Sequence, residues 1–191
     1  FISAADPDIR TNYKSIKKLK KNNVIVNVGL EKNRTYNLNK FFFKSVLKKK
    51  PFTKVKIATS TDEKIAWHDY KSKWISNKSS REYAHKLRSM SQAILTTSKT
   101  VIKDDPRLTI RLKKTLEQHI PIIIIDNNLK IPMKSKILKD ISKKRIIIFT
   151  SKKNKKSENL IKLGCEIIFC KLNKNKKLNL KNIFSKIYSL K

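Results

Sequence analysis

Three runs of this chain, "PIIIIDN", "RIIIFTS" and "CEIIFC", are apolar almost from end to end. A strand with one wet face alternates apolar and polar residues with a period of two, so runs without alternation belong to strands covered on both faces. Both faces are covered when helices pack on each side of a sheet. The intervening sequence supplies them: "MKSKILKDIS" is a connecting helix, and "SENLIKLG" is a helix closed by Gly164, where a C-terminal cap belongs. Strands alternating with helices predict an α/β fold with a largely parallel sheet.

The remaining sequence continues the pattern. A basic helix around "NYKSIKKLKK" precedes an apolar run "VIVNVG" at 24–29, read as a strand. In "LNKFFFKSVLKKKPF", Leu38, Phe41, Phe42 and Leu47 form a broad apolar helical face that stops at Pro51, the expected domain boundary. Next come a β-branched strand "KVKIATS", a helix "NKSSREYAHKLRSM" opened by a Ser79-x-x-Glu82 capping box, and a short strand "AILTT". At the end, Leu180, Ile183, Phe184, Ile187 and Leu190 follow helical spacing. A chain of 191 residues suits one domain, or a domain with a piece of a second. It opens on Phe1 and closes on Lys191 within a helical pattern, so a piece cut from a longer chain is expected.

Lys+Arg 47 against Asp+Glu 14 gives a formal net charge of +33, a balance that suggests nucleic acid or an anionic membrane as partner. The distribution points elsewhere. The cations are nearly all Lys, interleaved with Asn and Ile as an AT-rich genome encodes, whereas Arg is the residue suited to bidentate recognition of phosphate. A solvated lysine surface that still attracts anionic small molecules is the favoured reading. Cys165 and Cys170 have no nearby His to complete a zinc site and read as core thiols of a cytoplasmic protein. The longest apolar runs fall far short of the roughly 20 residues a membrane span needs, so a soluble protein is expected.

In an open α/β sheet, ligands bind beyond the carboxyl ends of the strands, which directs attention to "ATSTD", "TTSKTVIKDDPR", "DNN" and "TSKK". With only Gly29 and Gly164 present, no glycine-rich phosphate loop exists in this sequence. Asp104 and Asp105 before a proline read either as a turn or, given Arg107 and Arg111 in an arginine-poor chain, as part of an anion site. Trp74, flanked by Ser72 and Lys73, either packs on its own core or covers a flat ligand. Arg88, on the helix at 78–90, is either a solvated charge or a ligand clamp.

Read in order, "KVKIATSTDEKIAW", "SKWISNKSSREYAHKLRSMSQAILTTSKTVIKDDPRLTIR" and "PIIIIDNNLKIP" resemble the reductase domain of the bifunctional deaminase/reductase of riboflavin biosynthesis. The resemblance covers about 51–191 and is densest over 54–111. It implies a dihydrofolate-reductase-like fold, truncated at its C-terminus, for residues 51–191. Residues 1–50 resemble the tail of the preceding cytidine-deaminase-like domain. The implied reaction is NADPH-dependent reduction of the ribosyl group of 5-amino-6-(5-phosphoribosylamino)uracil to a ribityl chain.

By resemblance, Lys56 and Asp104 match positions implicated in reduction, and Ser72, Arg88, Leu108 and Arg111 match substrate-binding positions. Ala58, Trp74, Thr100 and Asp104 match NADPH contacts; Asn127 stands where the family has a small polar cofactor contact, usually Ser. Two departures stand out. Ser60-Thr61-Asp62-Glu63 replaces the family's Ser-Leu-Asp-Gly, and the Glu-Gly-Gly segment expected after "FSKIYSLK" is absent. The zinc motifs of the deaminase half are also absent, so zinc is expected only in an upstream part, and no metal site here. The expected partner is a small phosphoribosylamino-pyrimidine, with no specific nucleic acid and no membrane; a homo-oligomer is left open. The competing readings are a basic polyanion-binding protein and a decayed, non-catalytic remnant.

Overall fold

The computed structural model describes residues 1–68, 75–112, 119–139 and 141–190. In chain order the first helices are α1 (Lys14–Lys21), α2 (Lys32–Leu38), α3 (Lys40–Lys48) and α4 (Lys78–Ser89). The sheet elements and their crossovers follow: β1 (Ile94–Thr97), α5 (Ser98–Asp104), β2 (Ile122–Ile125), α6 (Lys136–Lys139), β3 (Ile146–Thr150), α7 (Lys155–Lys162), β4 (Glu166–Phe169) and α8 (Leu180–Ser189). A 3-10 turn, Ile141–Lys143, follows α6. The chain divides into two compact units: Phe1–Lys54 with Leu180–Lys191, and Val55–Asn179.

In the first unit, the apolar face expected from Leu38, Phe41, Phe42 and Leu47 is not the buried one: Leu38, Phe42 and Leu47 are exposed, and the aromatic cluster is centred on Phe43 and Phe41. Phe43 is buried against Tyr36, with ring centroids 4.3 Å apart, and Phe41 packs on Phe52 at 4.5 Å. The Lys54 ammonium stands 4.3 Å from the Phe41 ring centroid, a cation-π contact.

The second unit is built on the four-stranded sheet of the described residues, β1-β2-β3-β4, every pair parallel. The all-apolar runs do what their lack of alternation demands. All five residues of β3 are buried, as are Ile122, Ile123 and Ile124 of β2. One face packs Ile122, Ile124, Ile146 and Ile148 against Val101, Ile137 and Leu160. Each crossover has its own stop and start signals. Asn154 and Ser157 cap α7 reciprocally, and Gly164 (φ +108) closes it, with the Gly164 and Cys165 amides donating to the Ile161 and Leu160 carbonyls. Cys165 is buried, and burial pushes its thiol up to about 11.

Three further expectations are corrected. Residues 24–29 do not form a strand: Val28 makes one isolated parallel bridge to Ile2, and Ile25 is exposed. "KVKIATS" is not a strand either. Residues 51–60 carry no ladder, and Val55 and Ile57 are exposed. A β-branched run reports fitness for a pleated surface, and no ladder partner lies beside either run among the described residues. Finally, α4 is capped two residues earlier than the Ser79-x-x-Glu82 pattern suggests, because extended Asn77 accepts the Ser80 amide at 2.8 Å. Among the described residues, no helix is long and apolar enough to cross a membrane.

Candidate functional site: an arginine pair and the carboxyl edge of the sheet

The half-buried positions of α4 are Arg81, Ala84, His85, Leu87 and Arg88. Positions 81, 84, 85 and 88 follow the i, i+3, i+4, i+7 spacing that marks the inward stripe of a helix. That stripe is normally apolar; here it carries two guanidinium groups and an imidazole. What it meets is the segment after α5. Leu108, at φ +54, turns the chain in the left-handed region at a cost of about 1–2 kcal/mol. Beyond it Thr109 and Ile110 are buried. Arg88 Nη1 donates to the Thr109 carbonyl at 3.3 Å, and Arg111 Nη1 donates to Thr109 Oγ1 at 3.3 Å. The Arg111 amide donates to His85 Nδ1 at 3.1 Å. Three cationic or potentially cationic groups thus gather around one threonine, and neither guanidinium has a carboxylate partner among the described residues.

The electrostatics carry the mark of this crowding. Burial, and then the neighbouring Arg111, hold the Arg88 guanidinium below its ordinary value. Burial first, then Arg88 and Arg111, lower the His85 imidazole below its ordinary 6.5, with the Thr109 backbone acting weakly in the other direction. The sign of the linkage follows. Because the folded value is depressed, the unfolded chain binds the proton first as pH falls, so stability is fully present above 6.5 and is lost as pH falls through the folded value. Thermal midpoints taken between pH 7 and about 5 are expected to decline, and His85→Asn to flatten that part of the decline. Parallel curves for the two proteins would refute the assignment.

A second polar group lines the carboxyl edge of the sheet. Thr97, Ile125 and Phe149 lie abreast in the ladder, so the residues that follow emerge together. After β1, Thr97 Oγ1 accepts the Thr100 amide at 3.4 Å and starts α5. After β2, buried Asp126 accepts the Lys130 and Ile131 amides at 2.9 and 2.8 Å and fixes the turn. Asn127 is gripped through its backbone: its carbonyl accepts the Thr150 and Ser151 hydroxyls at 3.2 and 2.9 Å. Its Nδ2 donates to the Lys176 carbonyl at 3.3 Å, while Oδ1 is buried with no partner among the described residues. An orphaned acceptor beside a row of hydroxyls and amides, at the edge where open sheets bind ligands, suits the hydroxyl-rich ribose and amide portions of a dinucleotide.

The expected site residues fall into three groups. Arg88, Leu108 and Arg111 converge around Thr109. Thr100 and Asn127 lie at the carboxyl edge, Thr100 exposed and Asn127 half-buried. The third group is not assembled: Lys56 is exposed and Ala58 half-buried in the irregular segment, Asp104 is exposed at the end of α5, and no contact joins Lys56 to Asp104 among the described residues. Lys56 with Val55 and Ile57 borders an open depression of about 550 Å³ against Tyr83 and Leu87 of α4. Ser72 and Trp74 lie outside the described residues. The paired acids separate in role. Asp105 is the turn: left-handed at φ +38, it accepts the Lys136 amide at 2.7 Å, which together with the Lys136 ammonium at 3.5 Å holds its carboxyl below the usual range. His85, Thr109 and Asp126 were not singled out from sequence; the i, i+3 spacing of His85 and Arg88 was the available signal for the first.

The family model of the RibD C-terminal domain matches residues 51–190. The chain is 35% identical over 189 residues to the riboflavin biosynthesis protein RibD of Aquifex aeolicus (strain VF5), covering 99% of this chain and 51% of the relative. It is 30% identical to that of Actinobacillus pleuropneumoniae, covering 98% and 49%. Among solved structures, it superposes on Acinetobacter baumannii RibD with a TM-score of 0.81 at 23% identity, covering 97% of this chain and 49% of that one. With the Thermotoga maritima diaminohydroxyphosphoribosylaminopyrimidine deaminase/5-amino-6-(5-phosphoribosylamino)uracil reductase the TM-score is 0.77 at 26% identity, covering 98% and 50%. The chain spans about half the length of the relatives it matches.

Proposed function

The chain belongs to the RibD C-terminal domain family, and from that membership we propose that it carries the NADPH-dependent reductase activity of riboflavin biosynthesis, in the cytoplasm. The substrate is 5-amino-6-(5-phosphoribosylamino)uracil, whose ribosyl group becomes a ribityl chain. The observation that carries this reading is the arginine pair around Thr109: two guanidinium groups without a carboxylate partner among the described residues suit a dianionic phosphate ester. Arg88 and Arg111 hold the phosphate, and Ser72 and Leu108 flank the sugar. The cofactor is held at the carboxyl edge by Thr100 and Asn127, with Ala58, Trp74 and Asp104 contributing. When bound, NADPH supplies the hydride. Opening of the ribosyl ring breaks its C1′–O4′ bond and places negative charge on O4′; the Lys56 ammonium stabilises that charge, and Asp104 orients the reacting hydroxyl.

Lys56→Met and Asp104→Asn are each expected to lower kcat by roughly hundredfold, measured as loss of nicotinamide absorbance, while leaving the affinity for ribose 5-phosphate unchanged. Unaltered turnover would remove both residues from the chemistry. A polyanion-binding role, drawn from the +33 charge, makes the opposite prediction. Affinity for duplex DNA would fall steeply with salt and would be indifferent to Arg88.

A further inference from the structure

We propose that His85 is a positioning residue for the arginine pair: its neutral imidazole, with Nδ1 accepting the Arg111 amide and Nε2 carrying the proton, holds the Arg111 backbone against α4 so that both guanidinium groups meet one anion. The inference rests on the phosphate-clamp reading above. It begins from a physical difficulty. Arg88 and Arg111 repel each other and have no carboxylate between them among the described residues, so in the absence of ligand something other than charge must hold them together. The contacts that do so are neutral. Thr109 takes Arg88 on its carbonyl and Arg111 on its hydroxyl, and His85 takes the Arg111 amide.

The tautomer follows from the hydrogen bond. A nitrogen that accepts an amide proton carries none of its own, so the single proton of a neutral imidazole sits on Nε2. A protonated His85 would lose the acceptor and add a third positive charge to the patch. Burial and the two guanidinium groups both favour the neutral form. The helix fixes the rest: His85 and Arg88 are three residues apart on the same inward face of α4, so one ring ties the Arg111 segment to the helix that presents Arg88. His85 acts through Arg111, and the reacting atoms need not touch it.

The test uses this chain with ribose 5-phosphate as the probe, read by titration calorimetry. Asparagine places its Oδ1 near the position of the histidine Nδ1, whereas leucine fills the space without an acceptor. His85→Leu is expected to bind the probe roughly tenfold more weakly than the parent, and His85→Asn to restore binding to within about twofold. A folding defect alone would not be repaired selectively by the acceptor. The chain has three histidines, so imidazole nitrogen NMR resolves His85 directly and should show the Nε2–H tautomer before any ligand is added. Equal affinities for the parent and His85→Leu, or an Nδ1–H tautomer, would overturn the inference and leave the clamp standing. Failure of the parent to bind ribose 5-phosphate while NADPH still binds would overturn the clamp, and this inference with it.

Discussion

Replacing Arg88 with methionine is expected to raise KM for the phosphorylated substrate by roughly hundredfold while kcat changes by no more than a few-fold. Hydrogen bonds to a charged group contribute about 1.5–3 kcal/mol each, so losing two of them from a half-buried fork amounts to at least about that factor. The remote phosphate is bound equally in the ground and transition states, so its loss falls on KM. Arg88→Lys should recover little, since an ammonium cannot reproduce the planar fork. The thermal midpoint should barely move. Methionine forfeits the bond to the Thr109 carbonyl, but it also removes one of two guanidinium groups held together against their own repulsion. Arg111, whose side chain is exposed, should show a smaller rise when changed to methionine. The decisive control is a substrate analogue without the phosphate. If Arg88→Met weakens that analogue as much as the phosphorylated compound, the guanidinium is serving the fold and not the phosphate.

How far the site was legible depends on where its signal lies. Arg111 stands out, with Arg107, because arginine is scarce among the lysines, whereas Arg88 is singled out only by the family resemblance. His85 does not stand out, because a histidine in "REYAHKLRS" looks like any polar residue of a basic helix until the inward face of α4 is known. The sheet was legible for a stronger reason: a run such as "RIIIFT" has no exposed register, so burial on both faces is its only stable placement. The same logic explains the two failures. "VIVNVG" and "KVKIATS" are equally β-branched, but a strand exists only where a neighbour offers a ladder, and sequence pattern carries no record of the neighbour. The sequence marks "TTSKTVIKDDPR" only as a polar stretch beyond a strand, yet a helix begins within it, because Thr97 Oγ1 accepts the Thr100 amide and starts α5 directly. Asp105 shows the remaining limit. Its turn role was open to sequence, but its partner Lys136 lies 31 residues away, and only the fold brings the two together.

The sheet that carries the carboxyl-edge residues should be sensitive to a single cavity in its central strands. Ile148→Ala is expected to destabilise this chain by about 2–5 kcal/mol in urea or thermal unfolding, towards the upper part of that range. The side chain is 0% exposed and packs in the cluster containing Ile124, Ile146, Val101 and Leu160. Its backbone is paired on both sides, with Ile124 of β2 and Ile167 of β4, so the strand has little freedom to collapse into the space left behind. Ile148→Val removes one methylene and should cost about 0.5–1.5 kcal/mol. Ile161, adjacent in sequence to the fully buried Leu160, is 50% exposed on α7, and its replacement by alanine should cost clearly less than that of Ile148. Two residues further along β3, Thr150 bonds the Asn127 carbonyl, and Ser151 just beyond bonds the same atom. While Ile148→Ala remains folded, that register is intact and NADPH affinity should match the parent's, separating a loss of stability from a loss of site. Equal costs at Ile148 and Ile161 would mean that β3 is not covered on the face occupied by Ile148, and the inference drawn from its unbroken apolar sequence would fall.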